Sequence, residues 1–279
     1  MADQSYTLTL PSPAKINLFL HIIGKRLDGY HDLQTVFQFL SLKDTLSFKL
    51  EPEEIILESQ LPDVKPEDNL IFKAAQLLKQ TTGCTQGARI YLEKNIPMGG
   101  GFGGGSSNAA TTLIALNRLW ELNLSTEALL PLARQLGADV SIFIYGHAAF
   151  AEGTGDKFIP VNPPEPWYVI LMPPVHVSTV AMFKHPQLSR NTAPITVDEY
   201  LNGYPCHNDF SPLVCQEYPV VRETLDWLKQ FGPACLTGSG AGLFLPCQNK
   251  AQAQDIIGQI PAGMIGCAAQ GQNQSPLIY

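Results

Sequence analysis

The apolar residues in the first third of the chain come in short runs with turn-forming residues between them, which is the pattern of β-strands. Leu18-Phe-Leu20 beside Ile22-Ile23 indicates a strand that is buried on both faces. Turns are expected at Asp28-Gly29 and Lys43-Asp44, because these residue types favour tight reversals of the backbone. The predicted strands are Tyr6–Leu10, Ala14–Ile23, Leu33–Leu40, Thr45–Leu50 and Ile55–Glu58.

The middle of the chain shows helical spacing of apolar residues on both sides of a strand. Asn69–Gln80 is predicted to be a helix with Asp68 as its N-cap, and Ala88–Glu93 a strand. A long helix is expected to run from the serines at 106–107 to Trp120, and Ser125–Leu136 is predicted to be a helix that Gly137 ends.

The remaining residues mix strands and helices without strict alternation, so the pattern predicts an α+β fold. The proline-rich segment 162–166 is the predicted boundary between two lobes, residues 1–161 and residues 162–279. The strands predicted here are His147–Glu152, Lys157–Val161, Trp167–Met172, Leu243–Leu245 and Met264–Ala269. The helices predicted here are Val180–Phe183, Val197–Leu201, Val220–Phe231 and Ala251–Gln259.

One stretch stands out by its glycine content: six glycines fall within Gly99–Gly105, and only Phe102 interrupts them. Glycine permits positive φ and close approach of a ligand to the backbone. Because the predicted helix follows directly, its unpaired N–H groups and positive dipole end favour a bound phosphate. No lysine follows the glycines as a Walker-type loop requires, and the loose match to a dinucleotide fingerprint carries little weight among so many glycines. A flexible linker is the other interpretation, but linkers lack an apolar strand and a periodic helix on their flanks.

Composition narrows the class of protein. The chain has 279 residues, of which 45% are hydrophobic and 15% charged, so it is expected to be a globular protein rather than a disordered one. With a net charge of −7, the chain lacks the excess of basic residues that typically binds nucleic acid. No apolar run approaches a membrane span and the first residues do not resemble a signal peptide, so a cytoplasmic protein without a membrane partner is expected. The six scattered cysteines favour buried free thiols over a zinc site.

Two isolated charges lie in apolar segments. Lys15 and Asn17 alternate along a predicted strand and therefore share a face. Asp139 precedes the apolar residues 142–144. Taken singly, Lys15 reads as an edge-strand lysine and Asp139 as a helix N-cap. If the two were buried together, the ammonium group would keep the carboxylate ionised and able to accept a proton.

Several segments, in unbroken order over nearly the whole chain, resemble the GHMP family of small-molecule kinases. The sequence departs from the family at Phe102, where leucine is commoner, and at Gly242, where a bulkier residue is commoner. The matching segments are Pro13–Leu20, Gly24–His31, Gly99–Asn108, Leu136–Val140, Gly146–Gly153, Phe183-Lys184, Arg190–Thr192 and Leu236–Gly242.

The resemblance implies a ribosomal-S5-like N-terminal lobe and a ferredoxin-like C-terminal lobe, with an active site between them that uses ATP and Mg²⁺. It implies that Asp139 is the catalytic base and that Lys15 orients it, without naming a protein ligand for the metal. The residues it assigns to ATP are Asn69, Lys94, Pro97, Met98, Gly99, Gly100, Gly101, Phe102, Gly103, Gly104, Gly105, Ser106 and Ser107.

The resemblance also implies a small-molecule substrate that carries a cytidine diphosphate group, linked to the methylerythritol of the non-mevalonate isoprenoid pathway, with a tertiary hydroxyl as acceptor. A monomer or weak dimer is expected. The residues assigned to this substrate are Asn17, Tyr30, His31, Thr179 and Phe183, with the aromatic rings stacking on the base. The alternatives are a GHMP kinase for mevalonate, homoserine or a sugar, a nucleotide sensor without activity, and an RNA-binding module. Against the sensor, Lys15 and Asp139 are both present, and against RNA binding stands the acidic charge.

Overall fold

The structure is a computed structural model that describes residues 6–59 and 65–277. Its strands are β1 (Leu8–Lys25), β2 (His31–Glu51), β3 (Ile55–Ser59), β4 (Gly87–Glu93), β5 (Ala149–Glu152), β6 (Lys157–Pro160), β7 (Trp167–Met172), β8 (Cys235–Leu236), β9 (Leu243–Cys247) and β10 (Ile265–Gln272). Its α-helices are α1 (Leu70–Thr82), α2 (Gly104–Leu119), α3 (Thr126–Leu136), α4 (Val140–Tyr145), α5 (Thr179–Lys184), α6 (Val197–Leu201), α7 (Ser211–Glu217), α8 (Pro219–Lys229) and α9 (Lys250–Ile257). Across the described ranges, none of these helices has the length and apolar character of a membrane span.

The strands form one continuous sheet in the order β3-β4-β2-β10-β7-β9-β8, with β1 and β5 also pairing with β2, and β6 with β5. β10 connects the two halves of this sheet: residues 265–270 pair with β7, and Gly271 and Gln272 pair with β2. This mixture of strand pairings with helices packed on the sheet confirms the α+β prediction.

β1 and β2 are each longer than predicted. The turn prediction at Lys43-Asp44 was wrong, because β2 continues through both residues. Asp44 is fully buried and accepts hydrogen bonds from the backbone N–H groups of Asn95 and Ile96, both at 2.7 Å. Lys43-Asp44 has the composition of a turn but is part of a strand, and the Asp44 carboxylate binds the backbone just after the end of β4. The turn at Asp28-Gly29 is present.

The ends of α1 and α3 follow the expected capping chemistry with one exception. The Asn69 side chain, and not that of Asp68, caps α1 by accepting from the Ile71 N–H at 2.9 Å. Ser125 caps α3, and Gly137 follows its last residue as predicted. The prediction omitted α7, a seven-residue helix too short to show a clear apolar period.

Two large clusters of buried apolar side chains lie on either side of the β1–β2 pair. One joins β2 and β4 to α1–α4, and the other joins β7 and β9 to α7–α9. Ala14 and Ile16 of β1 belong to the second cluster, whereas Leu277 packs into the first. The chain thus returns to its first half near its end, and the boundary at residues 161 and 162 stays a prediction.

The expectation of free thiols throughout was wrong for two cysteines. Cys206 and Cys235 form a disulfide that fastens the segment before α7 to β8, although 29 positions separate them in the sequence. The other four cysteines, Cys84, Cys215, Cys247 and Cys267, are free.

We expect the disulfide to appear in a thiol count. Protein isolated without reductant, then denatured and alkylated, should gain four adducts at the free cysteines, and all six positions should react only after reduction. Intact-mass spectrometry measures both numbers. Six adducts before reduction would contradict the disulfide.

Candidate active site

β1 is irregular where it meets the glycine-rich segments, and these irregularities redirect its backbone donors. Its pairing with β2 shifts register between Pro13 and Lys15 and again between Asn17 and Leu20. The Lys15 N–H donates to the Phe102 carbonyl at 2.9 Å, and the Asn17 N–H donates to the Thr237 hydroxyl at 2.9 Å. A β-bulge frees backbone groups from the ladder in this way. β1 consequently binds both glycine clusters.

The ammonium group of Lys15 is buried and fully engaged. The residue is 1% exposed, and its Nζ lies 2.7 Å from Asn17 Oδ1 and 3.0 Å from Asp139 Oδ2. Phe37 places its ring 5.2 Å from the same atom. An ammonium group out of water requires such partners, since burial without them costs several kcal/mol. The structure thus brings together the two charges that the sequence left apart.

Asp139 precedes α4 but its side chain does not cap that helix. The N-cap interpretation is therefore wrong, and the carboxylate is used by Lys15 instead. About 39% of the Asp139 side chain remains exposed, against 2% for that of Lys15. One side of the carboxylate faces the lysine while another is open to a ligand.

The glycine loop takes conformations that need glycine. Gly99, Gly101 and Gly103 have φ of 73°, 72° and 73°, in the left-handed region that other residues rarely adopt. A side chain at Gly101 would place its Cβ 2.5 Å from the Thr237 carbonyl oxygen. The loop is thus packed backbone to backbone against the second glycine cluster.

The second glycine cluster, residues 236–242, holds the loop by hydrogen bonds. The Ala241 N–H donates to the Gly99 carbonyl at 3.3 Å, and the Gly242 N–H donates to the Gly100 carbonyl at 3.1 Å. A Cβ at Gly242 would lie 2.4 Å from Phe102 Cζ. The two departures from the family pattern, at positions 102 and 242, are therefore in contact, and the larger ring occupies the space that glycine leaves.

α2 begins at Gly104 and its N-cap, Gly103, has no side chain to cap it. The first intrahelical bond is from the Ser107 N–H to the Gly103 carbonyl, so the N–H groups of residues 104–106 have no helical partner. With the positive end of the helix dipole, they have the arrangement that favours a bound anion. The Ser107 hydroxyl is buried and accepts a hydrogen bond from the Ser12 hydroxyl at 2.8 Å, and its assignment to ATP stays a prediction.

A cavity of about 300 Å³ opens over the loop. It gathers most of the residues assigned to ATP, and Leu70 and Leu92 add apolar surface beside Pro97 and Met98. The lining consists of Asp68, Asn69, Leu70, Leu92, Lys94, Pro97, Met98, Gly99, Gly100, Gly101, Phe102, Gly103, Gly104, Gly105 and Asn108.

Lys94, at the edge of this cavity, is paired with a buried carboxylate. Its Nζ lies 2.9 Å from Asp44 Oδ2 and also contacts the Ile96 carbonyl. Burial lowers the pKa of Lys94, and Asp44 opposes that shift. Because Asp44 offsets the charge of Lys94, the backbone N–H groups and the dipole of α2 remain to attract phosphate.

A second cavity of about 310 Å³ lies on the other side of the loop and contains the charged pair. Gly101 lines both cavities, so they meet at the loop. The lining consists of Lys15, Asn17, Leu20, Leu33, Thr35, Phe37, Gly101, Ser106, Ala138, Asp139, Thr154, Gly155, Thr179, Phe183, Phe210, Gly238 and Ser239.

The predicted aromatic residues differ in position. His31 is 7% exposed and stacks on Phe183, with 5.0 Å between ring centroids. Tyr30 is 64% exposed beside the β1–β2 turn. Phe183 therefore lines the second cavity with His31 stacked on it, whereas neither His31 nor Tyr30 is itself among the residues that line this cavity.

Sequence reasoning missed several polar residues of this second cavity. Thr35, Thr154 and Ser239 line it, and the Ser239 hydroxyl lies 2.7 Å from that of Thr179. Ser239 lies within the glycine cluster 236–242, so the glycines of that cluster could have pointed to it. Thr35 and Thr154 gave no signal, because single threonines in or beside strands are common.

Within the described ranges no group of three or more His, Cys, Asp or Glu side chains is arranged to hold a metal ion. The site thus offers two joined cavities: one with backbone donors for an anion, and one with a carboxylate beside a buried ammonium group. This arrangement suits transfer of a phosphoryl group, which depends on positioning and charge stabilisation.

Comparisons with known proteins show which family the chain resembles. The family model "GHMP kinases N terminal domain" matches residues 69–147, and "GHMP kinases C terminal" matches residues 201–266. The chain is 50% identical to a 4-diphosphocytidyl-2-C-methyl-D-erythritol kinase of Shewanella baltica over 96% of its own length and 95% of the relative's. A namesake of Marinobacter nauticus is 50% identical over 97% and 96%.

Among solved structures, a 4-(cytidine 5'-diphospho)-2C-methyl-D-erythritol kinase superposes with a TM-score of 0.80 at 31% identity, over 95% of this chain and 99% of that one. The mevalonate kinase of Methanococcus jannaschii superposes with a TM-score of 0.67 at 15% identity, over 97% and 100%, and shares the fold.

We expect Gly103→Ala to weaken binding of a nucleoside triphosphate by about tenfold or more. The new Cβ would lie 2.9 Å from Phe143 Cζ and 3.1 Å from Lys15 Cε, in a left-handed conformation that costs roughly 1–2 kcal/mol for an L-residue. The control outside the loop is Gly258→Ala, whose Cβ would come no closer than 3.5 Å to the Asp255 carbonyl oxygen and whose φ of −61° suits any residue. Calorimetric titration of both folded variants measures the effect, and equal affinities would contradict it.

Proposed function

The chain belongs to the 4-diphosphocytidyl-2-C-methyl-D-erythritol kinases of the GHMP family, and we propose that it transfers the γ-phosphoryl group of ATP to the 2-hydroxyl of that cytidine-linked alcohol, a step of the non-mevalonate isoprenoid pathway. The observation that carries the assignment to these residues is the contact of the buried Lys15 ammonium group with Asp139 in the second cavity, which meets the first at Gly101. The name of the relatives supplies the substrate.

The first cavity supports ATP binding. The apolar surfaces of Leu70, Leu92 and Pro97 suit a nucleobase, and the loop and the start of α2 suit the phosphates. In this proposal Asn69 and Lys94 lie near the nucleoside. The phosphate chain runs along residues 99–106 towards Gly101, where the two cavities meet.

Mg²⁺ enters the proposal with ATP. It usually keeps several waters and binds through one or two protein oxygens together with substrate phosphates, so a dedicated cage of side chains is not required. The described residues fit this mode through the Ser106 hydroxyl, an oxygen ligand at the start of α2 that lines the second cavity beside the loop. The ion would neutralise charge on the transferring phosphoryl group.

The chemical step uses two side chains of this chain. The oxygen of the substrate hydroxyl attacks the γ-phosphorus of ATP, and the carboxylate of Asp139 accepts the proton of that hydroxyl. The bond between the γ-phosphorus and the oxygen that bridges it to the β-phosphate breaks, and ADP leaves. Lys15 holds the carboxylate at 3.0 Å and Asn17 holds Lys15 at 2.7 Å, so the base is oriented before substrate arrives. The N–H groups at the start of α2 stabilise the negative charge of the phosphates.

The acceptor side of the second cavity supports an alcohol attached to a larger group. Thr179 and Ser239 provide hydroxyl groups, and Phe183, with His31 stacked on it, provides an aromatic wall. A small aliphatic alcohol gives these rings nothing to stack on. This separates the proposed substrate from mevalonate, homoserine or a sugar.

The experiment is a coupled assay of ADP release with the cytidine-linked alcohol, mevalonate, homoserine and galactose as acceptors. Turnover that requires the cytidine compound supports the proposal. Turnover with one of the other alcohols assigns the chain to that activity instead.

We expect Asp139→Asn to lower kcat by about 10²–10⁴-fold, because the variant keeps the shape of the side chain but removes the proton acceptor. Both KM values should change little, since the lesion acts on the transition state. Steady-state kinetics of the folded variant measure this. Near-full kcat would remove Asp139 as the base.

The matched control is Asp255→Asn, which alters an exposed acidic residue of α9 that lines neither cavity. We expect it to keep kcat within a few-fold. Lys15→Ala should also lower kcat, and the double variant with Asp139→Asn should be little worse than the poorer single one, because the two residues act as a unit.

A further inference from the structure

Arg190 connects the segment after α5 to His31. Its Nε donates to His31 Nε2 at 3.1 Å. Its terminal nitrogens donate to the carbonyls of Phe183 at 2.8 Å, His185 at 2.7 Å and Leu188 at 2.9 Å. One guanidinium group thus holds the last turn of α5, the segment that follows it and the imidazole at the same time.

The contact fixes the protonation of His31. A guanidinium group only donates hydrogen bonds and stays charged in proteins. His31 Nε2 must therefore present its lone pair, and the neutral ring carries its proton on Nδ1. Protonation of Nε2 would break this hydrogen bond and place an imidazolium cation next to the guanidinium cation of Arg190. In the same direction, burial, Arg190 and Lys25 lower the pKa of His31.

The remaining ring nitrogen is left for a ligand. Among the described residues no hydrogen-bond partner of His31 Nδ1 is found, and the atom is not sealed from solvent. The imidazole stacks on Phe183, which lines the second cavity. The ring therefore offers a fixed N–H donor beside this aromatic wall.

We propose that Arg190 is a specificity-determining residue: by holding His31 as the Nδ1–H tautomer, it makes the second cavity select a base with an acceptor at that point, cytosine, over one with a donor, uracil. This inference rests on the proposed function. Cytosine N3 accepts a hydrogen bond, whereas uracil N3 carries a hydrogen. With uracil, the N3–H group would therefore face the Nδ1–H group of His31, and neither could accept. A site that leaves a buried polar group unpaired rejects the wrong ligand strongly.

The test compares Arg190→Lys with Arg190→Gln. Both variants lose the hydrogen bonds that the terminal nitrogens of Arg190 donate to three backbone carbonyls, so the structural damage is expected to be similar in the two. Lysine still only donates and keeps the Nδ1–H tautomer, whereas a glutamine amide can accept from Nε2–H as well and permits either tautomer. Arg222→Gln, on the exposed side of α8, controls for removal of a positive charge.

The first measurement is the ratio of kcat/KM for the cytidine substrate to that for its uridine counterpart. We expect a high ratio in the wild-type protein, in Arg190→Lys and in Arg222→Gln, and a ratio roughly ten- to a hundredfold lower in Arg190→Gln. Equal ratios in the Lys and Gln variants overturn the proposal.

The second measurement does not depend on activity. Imidazole ¹⁵N shifts of the labelled wild-type protein report the tautomer of each of its six histidines, and His31→Gln identifies the signals of His31. The expected result is Nδ1–H with an unprotonated Nε2, and an Nε2–H signal overturns the proposal. If wild-type protein phosphorylates neither nucleoside substrate, the proposed function fails, while spectra of the wild-type protein and of Arg190→Gln still decide whether Arg190 fixes the tautomer.

Discussion

The burial of one ammonium group constrains the whole site. Lys15 lies in the middle of β1 at 1% exposure, where a cation is stable only with oxygen partners around it. Asn17 comes from the same strand, but Asp139 lies more than a hundred positions away, just before α4. β1 and the start of α4 must therefore lie close enough for Lys15 Nζ to contact Asp139 Oδ2, at 3.0 Å. The same requirement keeps the carboxylate in the second cavity.

The glycine clusters satisfy a second constraint, which is that two irregular loops pack against each other with few side chains between them. Their carbonyl and N–H groups would be unpaired if each loop stood alone, and such groups are costly when buried. Each cluster instead supplies partners for the other, and β1 supplies the rest. The loop that is proposed to hold phosphate is consequently shaped from both halves of the chain.

The sequence predicted elements whose signals are local. The glycine loop, the helix after it, most strands and the isolated charges at 15 and 139 were all visible in short windows, because periodicity and apolar flanks carry that information. Their pairing was not visible. Asp44 was taken for a turn residue because its partner Lys94 lies 50 positions further on, and the role of Arg190 depends on His31, 159 positions away. The Cys206–Cys235 disulfide is likewise a relation between distant positions.

β10 carries a consequence for the order in which the fold is assembled on the ribosome. This strand lies between β2 and β7, yet it is translated after every other strand of the described sheet. Until residues 265–272 emerge, β7 presents an unpaired edge, a feature that invites wrong pairing with other chains, and β2 lacks partners for Phe39 and Leu40 on the edge between its pairings with β4 and β5. Domains fold as units during synthesis, from the N-terminal side first. Here the first half can collapse early around its own apolar cluster, but the two halves of the sheet join only when β10 has been made, so the edge of β7 needs protection until then.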